Sequence, residues 1–326
     1  MNNFGKKQLS GALFLFLVFG GGFLLLRDSL GTAQFEKTAV TGRTSGLFAN
    51  EAEKDSDGDG LLDWEEGLWR TDPKNADSDG DGMPDGEEVR NSRNPLVAGP
   101  EDTITSLAES PLAEVFADSA GEKDLTLTDI FARDFVTGYF AMKQVGQFSE
   151  ANRDKFIQTL FAGVDATPAG KYALADLTTT QKSDKETLKT YGNALGEVAL
   201  RYRHLAEGKE LVIVDNAVKQ EKPEKLTALG PILADYKSFI EEYLSVQVPL
   251  SAYEVHLGLL NTNAAAMDAI AEMGELFNDP MRGAAGLTAY RNVAESGGGV
   301  MRDLTNFFSK NGVIFGNNEP GSIFNK

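Results

Sequence analysis

The chain has 326 residues, with 49 Asp and Glu against 31 Lys and Arg, a formal net charge of −18 and no cysteine. That charge opposes the phosphates of nucleic acid, so no nucleic-acid partner is expected and cations or basic surfaces are favoured. The missing thiols exclude disulfides, thiolate metal sites and cysteine nucleophiles, while an apolar share of 41% leaves room for one sizeable domain beside smaller modules.

At the start, Lys6 and Lys7 precede an uncharged run of 18 residues, Leu9 to Leu26, that ends at Arg27 and Asp28. As a helix it would rise about 27 Å, close to the ~30 Å of a bilayer core. Residues 1–27 therefore read as a single-pass transmembrane helix with its basic flank in the cytoplasm, which makes the cell membrane the partner and leaves the C-terminal part extracytoplasmic. The alternative is a signal segment cleaved after Ala33, with Gly31 and Ala33 as the small residues at the −3 and −1 positions, giving a secreted protein. Residues 28–54 are polar and rich in Gly and Thr, and read as a tether.

Two acidic loops follow, Asp55–Glu66 (DSDGDGLLDWEE) and Asp77–Glu88 (DSDGDGMPDGEE), 22 residues apart. Both carry acids at positions 1, 3, 5, 9 and 12 and Gly at position 6, the EF-hand loop pattern. A hard cation takes six to eight oxygens at roughly 2.3 to 2.6 Å, so the backbone must curl around it. Asp55, Asp57 and Asp59 project inward from alternate residues, Gly60 allows the turn, the Leu61 carbonyl serves position 7, Asp63 binds directly or through water, and Glu66 closes the site. The second loop assigns the same parts to Asp77, Asp79, Asp81, Gly82, the Met83 carbonyl, Asp85 and Glu88. About two Ca2+ are expected. No other cofactor is.

The segment before the first loop, Thr38–Lys54, is too rich in Gly, Thr and Ser for the entering helix of an EF-hand. The pattern is loop then short helix, with Pro73 and Pro95 at equivalent places after each loop. The string DSDGDGLLDWEEGLWRTDPKNADSDGDGMPDGEE resembles the bacterial form of the thrombospondin type 3 repeat, and dockerin modules are the nearest competitor. The resemblance covers about residues 51–97. It implies calcium-stabilised, core-poor modules that act as stalks, spacers or adhesive segments.

Residues 98–124, with Pro100 and Pro111, read as a linker, and residues 125–326 as an all-α helical bundle. Leu127–Gln147 carries Ile130, Phe131, Phe135, Tyr139 and Met142 on one side. Further helices are expected at Glu150–Ala162, from a Ser183–Glu186 capping box to about Ala206, at Pro223–Val246 with a bend at Pro231, at Leu250–Phe277, and at Pro280–Lys310 with a break at Gly297–Gly299. Tyr172–Thr180 reads as extended.

No GxSxG elbow, HExxH helix, phosphate loop or dinucleotide fingerprint occurs, so no catalytic residue is assigned. His256, among Val255, Leu257, Leu259 and Leu260, reads as a packing histidine, and Tyr139, Phe140, Phe307 and Phe308 as core. His204, with Arg201 and Arg203, reads as a solvated basic helix end. Glu241, Glu242 and Asp215 could act as an acid pair only if the fold joined them. The functional expectation is a membrane-anchored, extracytoplasmic calcium-binding protein whose calcium-stiffened stalk presents the helical domain, in a structural or adhesive role at the cell surface with a surface protein or cell-wall component as partner. The alternatives are a surface or cell-wall hydrolase with an unrecognised active site, and dockerin-like partner docking.

Overall fold

A computed structural model describes residues 54–113, 125–146, the positions 152, 155, 156, 159 and 160, and 170–325. The protein is mainly helical. The expected membrane segment 1–27 and nearly all of the tether lie outside the described residues, as does most of the Glu150–Ala162 helix. Among the described residues no helix is long and apolar enough to cross a membrane.

The chain forms two compact units, residues 1–165 and 166–326. In the first, each acidic loop runs into a short helix, α1 (Asp63–Trp69) and α2 (Asp85–Arg90), and a longer helix follows, α3 (Leu127–Gln144). The Thr126 hydroxyl caps α3 through the Asp129 N–H, and the Asp129 carboxylate returns a bond to the Thr126 N–H. The stripe of α3 buries Phe131, Phe135, Val136, Tyr139 and Phe140. Leu61, Leu68, Trp69, Val89, Ile104 and Leu112 are buried in the same unit. Helix 127–144 thus belongs with the repeats instead of opening a separate C-terminal domain at 125. The physical reason lies in the repeats: modules this poor in apolar surface need a covering face, and the aromatic stripe of α3 provides one.

The second unit contains α4 (Lys185–Arg201), α5 (Lys209–Lys219), α6 (Leu229–Ser245), α7 (Tyr253–Met273) and α8 (Pro280–Lys310), and α4, α6, α7 and α8 surround one core. Leu188, Tyr191 and Leu195 of α4 meet Ile240 and Tyr243 of α6, Leu259 and Leu260 of α7, and Leu304 and Phe308 of α8. Phe315 and Phe324 from the C-terminal segment close it. Two short strands, β1 (Thr179–Thr180) and β2 (Val248–Pro249), pair in parallel with Thr179 opposite Val248.

Several sequence expectations change in detail. Asp184, not Ser183, caps α4, accepting from the Thr187 N–H at 3.0 Å. Pro231 falls in the first turn of α6, where its missing N–H costs nothing, so no bend is needed. The run Gly297–Gly299 does not interrupt α8, which continues to Lys310. Only the end of Tyr172–Thr180 is extended, and helix α5 was not anticipated at all.

Candidate metal centre

The two loops repeat atom for atom. The Asp55 carboxylate accepts from the N–H groups of Gly58 at 2.7 Å and Gly60 at 3.1 Å, and Asp77 accepts from Gly80 at 2.8 Å and Gly82 at 3.0 Å. The Asp59 Oδ1 accepts from the Leu61 N–H at 2.7 Å, and the Asp81 Oδ1 from the Met83 N–H at 2.9 Å. These bonds wind the backbone so that alternate carboxylates converge. Gly60 and Gly82 stand at φ of 92° and 97°, which side-chain-bearing residues rarely adopt. Each loop is closed by one backbone bond, Asp63 N–H to Lys54 carbonyl at 2.8 Å and Asp85 N–H to Ala76 carbonyl at 2.9 Å.

Ligand atoms of Asp55, Asp57 and Asp59 lie within 4.8 Å of one another, and so do those of Asp77, Asp79 and Asp81; each group could hold a metal ion. Glu66 and Glu88, the position 12 residues, are both 0% exposed. Neither oxygen of either glutamate has a hydrogen-bond partner, and Asp57 Oδ2 and Asp79 Oδ2 are buried and unpartnered as well. Burial, reinforced by the negative charge of Asp57 and Asp59, pushes the Glu66 carboxyl up to about 8; burial, with Asp79 and Asp81, does the same to Glu88. Ionising a buried carboxyl without a partner costs on the order of several kcal/mol, whereas a cation set among these oxygens would remove that cost. The residues therefore fit a hard, oxygen-liganded ion.

Asp63 and Asp85, expected at position 9, have work inside the protein. The Ser56 N–H and hydroxyl donate to Asp63 at 2.8 and 2.9 Å, and Lys54 Nζ pairs with it at 2.6 Å. The Ser78 N–H and hydroxyl donate to Asp85 at 2.8 and 2.6 Å. These aspartates brace the loop through the serine at position 2, a contact whose sequence signal is the same Ser in both repeats.

The two loops also touch. The Gly86 N–H at the start of α2 donates to Asp59 Oδ2 at 2.7 Å. A side chain on Gly86 would meet the Asp59 carbonyl at 2.6 Å, so only glycine lets α2 seat against the first loop. Beyond the second loop, the Gly99 N–H donates to Asp81 Oδ2 at 2.7 Å, and Arg93 holds Asp102 with two bonds of 2.6 Å. Neither Gly86 nor the Arg93–Asp102 pair was legible in the loop pattern.

Elsewhere, His256 is buried in the second unit, its Nδ1 sharing a hydrogen bond with the Tyr191 hydroxyl at 3.1 Å, and burial pushes it down to about 4. It packs between Tyr191 and Tyr243, as expected of a core histidine. His204 pairs with Asp235 at 2.8 Å. Glu242 is taken by Arg201 and Tyr202, Asp215 by Lys219, and Glu241 pairs with Lys237. Tyr139, Phe140 and Phe308 are buried and Phe307 is partly buried, as core residues. Against known proteins, no family model, curated protein or solved structure matches this chain.

Proposed function

We propose that this protein is a membrane-tethered, extracytoplasmic calcium-binding protein in which a thrombospondin type 3-like pair of loops forms a metal-stiffened segment carrying the helical unit, in a structural or adhesive role. The observation that carries the reading is the pair of buried, unpartnered glutamates, Glu66 and Glu88, each closing a group of three aspartates. Calcium fits the donor set because every donor is an oxygen, the ligands come from a flexible loop, and no histidine or thiol is present. Mg2+ prefers six ligands near 2.1 Å and gives up water reluctantly, so it competes poorly. In this reading Asp55, Asp57, Asp59, the Leu61 carbonyl and Glu66 hold one ion, and Asp77, Asp79, Asp81, the Met83 carbonyl and Glu88 hold the other. Asp63 and Asp85 keep the loops closed.

The membrane and export part of the proposal rests on Lys6 and Lys7 followed by the Leu9–Leu26 run. Sites of extracellular type have dissociation constants around 10⁻⁴ to 10⁻³ M, a range that calcium outside the cytoplasm fills. Calorimetry of the full chain should show about two calcium ions bound per molecule; absence of any calcium heat sinks the metal reading. Recovery of the intact protein only in a soluble cytoplasmic fraction sinks the tether.

A further inference from the structure

The loops are alike, but the helices that follow them are not. At the places of Trp64, Glu65 and Trp69 in α1, the second repeat has Gly86 and Glu87 in α2 and Asn91 just beyond its end. Glu65 is 2% exposed whereas Glu87 faces solvent. Every oxygen of Glu65 is engaged: Oε2 accepts from the Leu62 N–H at 3.1 Å, and Oε1 accepts from the Tyr139 hydroxyl at 3.1 Å and pairs with Lys143 Nζ at 2.7 Å. The Tyr139 hydroxyl in turn accepts from Trp69 Nε1–H at 3.1 Å. Trp64 packs on Phe135 and Tyr139, with ring centroids 6.4 and 5.9 Å apart. Two adjacent residues of α1 therefore serve opposite masters, Glu66 the metal loop and Glu65 the helix α3.

We infer that calcium in the first loop controls the docking of α3 on α1, an inference that rests on the calcium reading above. Helix α1 has seven residues, too few to persist without support at both ends. Without a cation, Glu66 is an unpartnered carboxyl among Asp57, Asp59 and Asp63, and the way to relieve it is to withdraw α1 from the loop. Glu65 is bonded to Glu66 through the backbone and moves with it, so the contacts to Tyr139 and Lys143 are lost. A cation reverses this by fixing Glu66, and linkage requires the converse: docked α3 raises the affinity of the first loop by the same factor. Helix α3 also passes α2, but Glu87 gives it no counterpart of the Glu65 network. The first site is therefore the one that α3 regulates.

The test uses the full chain. Hydrogen exchange across residues 127–144 is measured with calcium and with chelator, beside calorimetric calcium titration. Calcium should slow exchange in α3 by about tenfold or more in the native chain and in Glu88→Gln, whereas in Glu66→Gln the protection should no longer depend on calcium. Tyr139→Phe combined with Lys143→Met should weaken one of the two sites about fivefold or more and leave the other unchanged. Lys143→Gln alone gives the same direction with a smaller shift, should the double variant fold poorly. If calcium binds with its usual heat but α3 exchanges identically in calcium and chelator, or if the α3 variants leave both affinities unchanged, the coupling is overturned while the metal reading stands. If the native chain takes up no calcium, both fall.

Discussion

The two units bury titratable groups on opposite terms. In the first, Glu66 and Glu88 are enclosed with no protein partner for any of their four oxygens. In the second, Glu210 is buried but accepts from the Tyr290 hydroxyl, and His256 leans on Tyr191 and meets burial by staying neutral. Among the described residues, the second unit leaves only the neutral ring nitrogen Nε2 of His256 unpartnered among its buried side-chain nitrogens and oxygens, whereas the first encloses those four carboxyl oxygens without a partner. The difference teaches that metal should matter to the acidic loops and not to the C-terminal helices.

The largest expected effect breaks the first interior. At calcium one hundred times the dissociation constant, each of the two proposed sites would contribute about 2.7 kcal/mol, so Glu66→Gln with Glu88→Gln should remove about 5 kcal/mol of calcium-dependent stability from the first unit. In chelator the sign should reverse, with the double variant more stable than the native chain, because an amide is cheaper to bury than a carboxylate. Urea unfolding with and without calcium checks both signs. The helical circular dichroism of residues 170–325 should persist in chelator throughout.

The second effect belongs to His256. Its folded state takes up a proton only near pH 4, whereas the unfolded chain does so near 6.5. Between those values the unfolded state holds more protons, so stability of the second unit rises with pH. The contribution is fully present above 6.5 and is lost as pH falls toward 4, on the order of 3 kcal/mol. His256→Gln should flatten that slope, and a slope of unchanged steepness would assign the acid sensitivity to other groups.

Smaller effects sharpen the boundary between repeats and between units. Gly86→Ala puts a methyl against the Asp59 carbonyl and the Leu61 amide nitrogen, which should cost about 2 kcal/mol and weaken the proposed calcium site of the first loop through its seat on α2. Asp184→Ala removes the cap of α4. Its cost should be about 1 kcal/mol, the same in calcium and in chelator, since nothing in the second unit is expected to hold the metal.

The turn of each loop was readable because its code is one-dimensional: aspartates at alternate positions with glycine where the chain must turn, an arrangement whose carboxylates the structure brings together. The structure then gives Asp63 and Asp85 to Ser56 and Ser78, which ligand spacing alone does not foresee, since an aspartate at position 9 suits a water-bridged ion and a loop brace equally. Helix α3, read from its stripe, and α8, read from its Asp279–Pro280 start, were legible in type and nearly in extent, although α8 runs through the glycines expected to break it. Helix α5 was not, because Leu211, Val212, Ile213 and Val214 form a continuous apolar, largely β-branched run without helical periodicity. The stripe of α3 announced that it would be covered, but not by what. Periodicity names a buried face; only the fold shows that Trp64, Glu65 and Trp69 are its partners.

The chain has two tryptophans, Trp64 and Trp69, and both sit on α1. Trp69 is hydrogen-bonded to the Tyr139 hydroxyl, and Trp64 lies 5.9 Å from the same ring. The second unit contains tyrosines but no indole. Red-edge excitation of the native protein consequently lights one helix out of the whole molecule, so that emission wavelength and quenching by iodide follow the first repeat alone, without label and without cutting the chain.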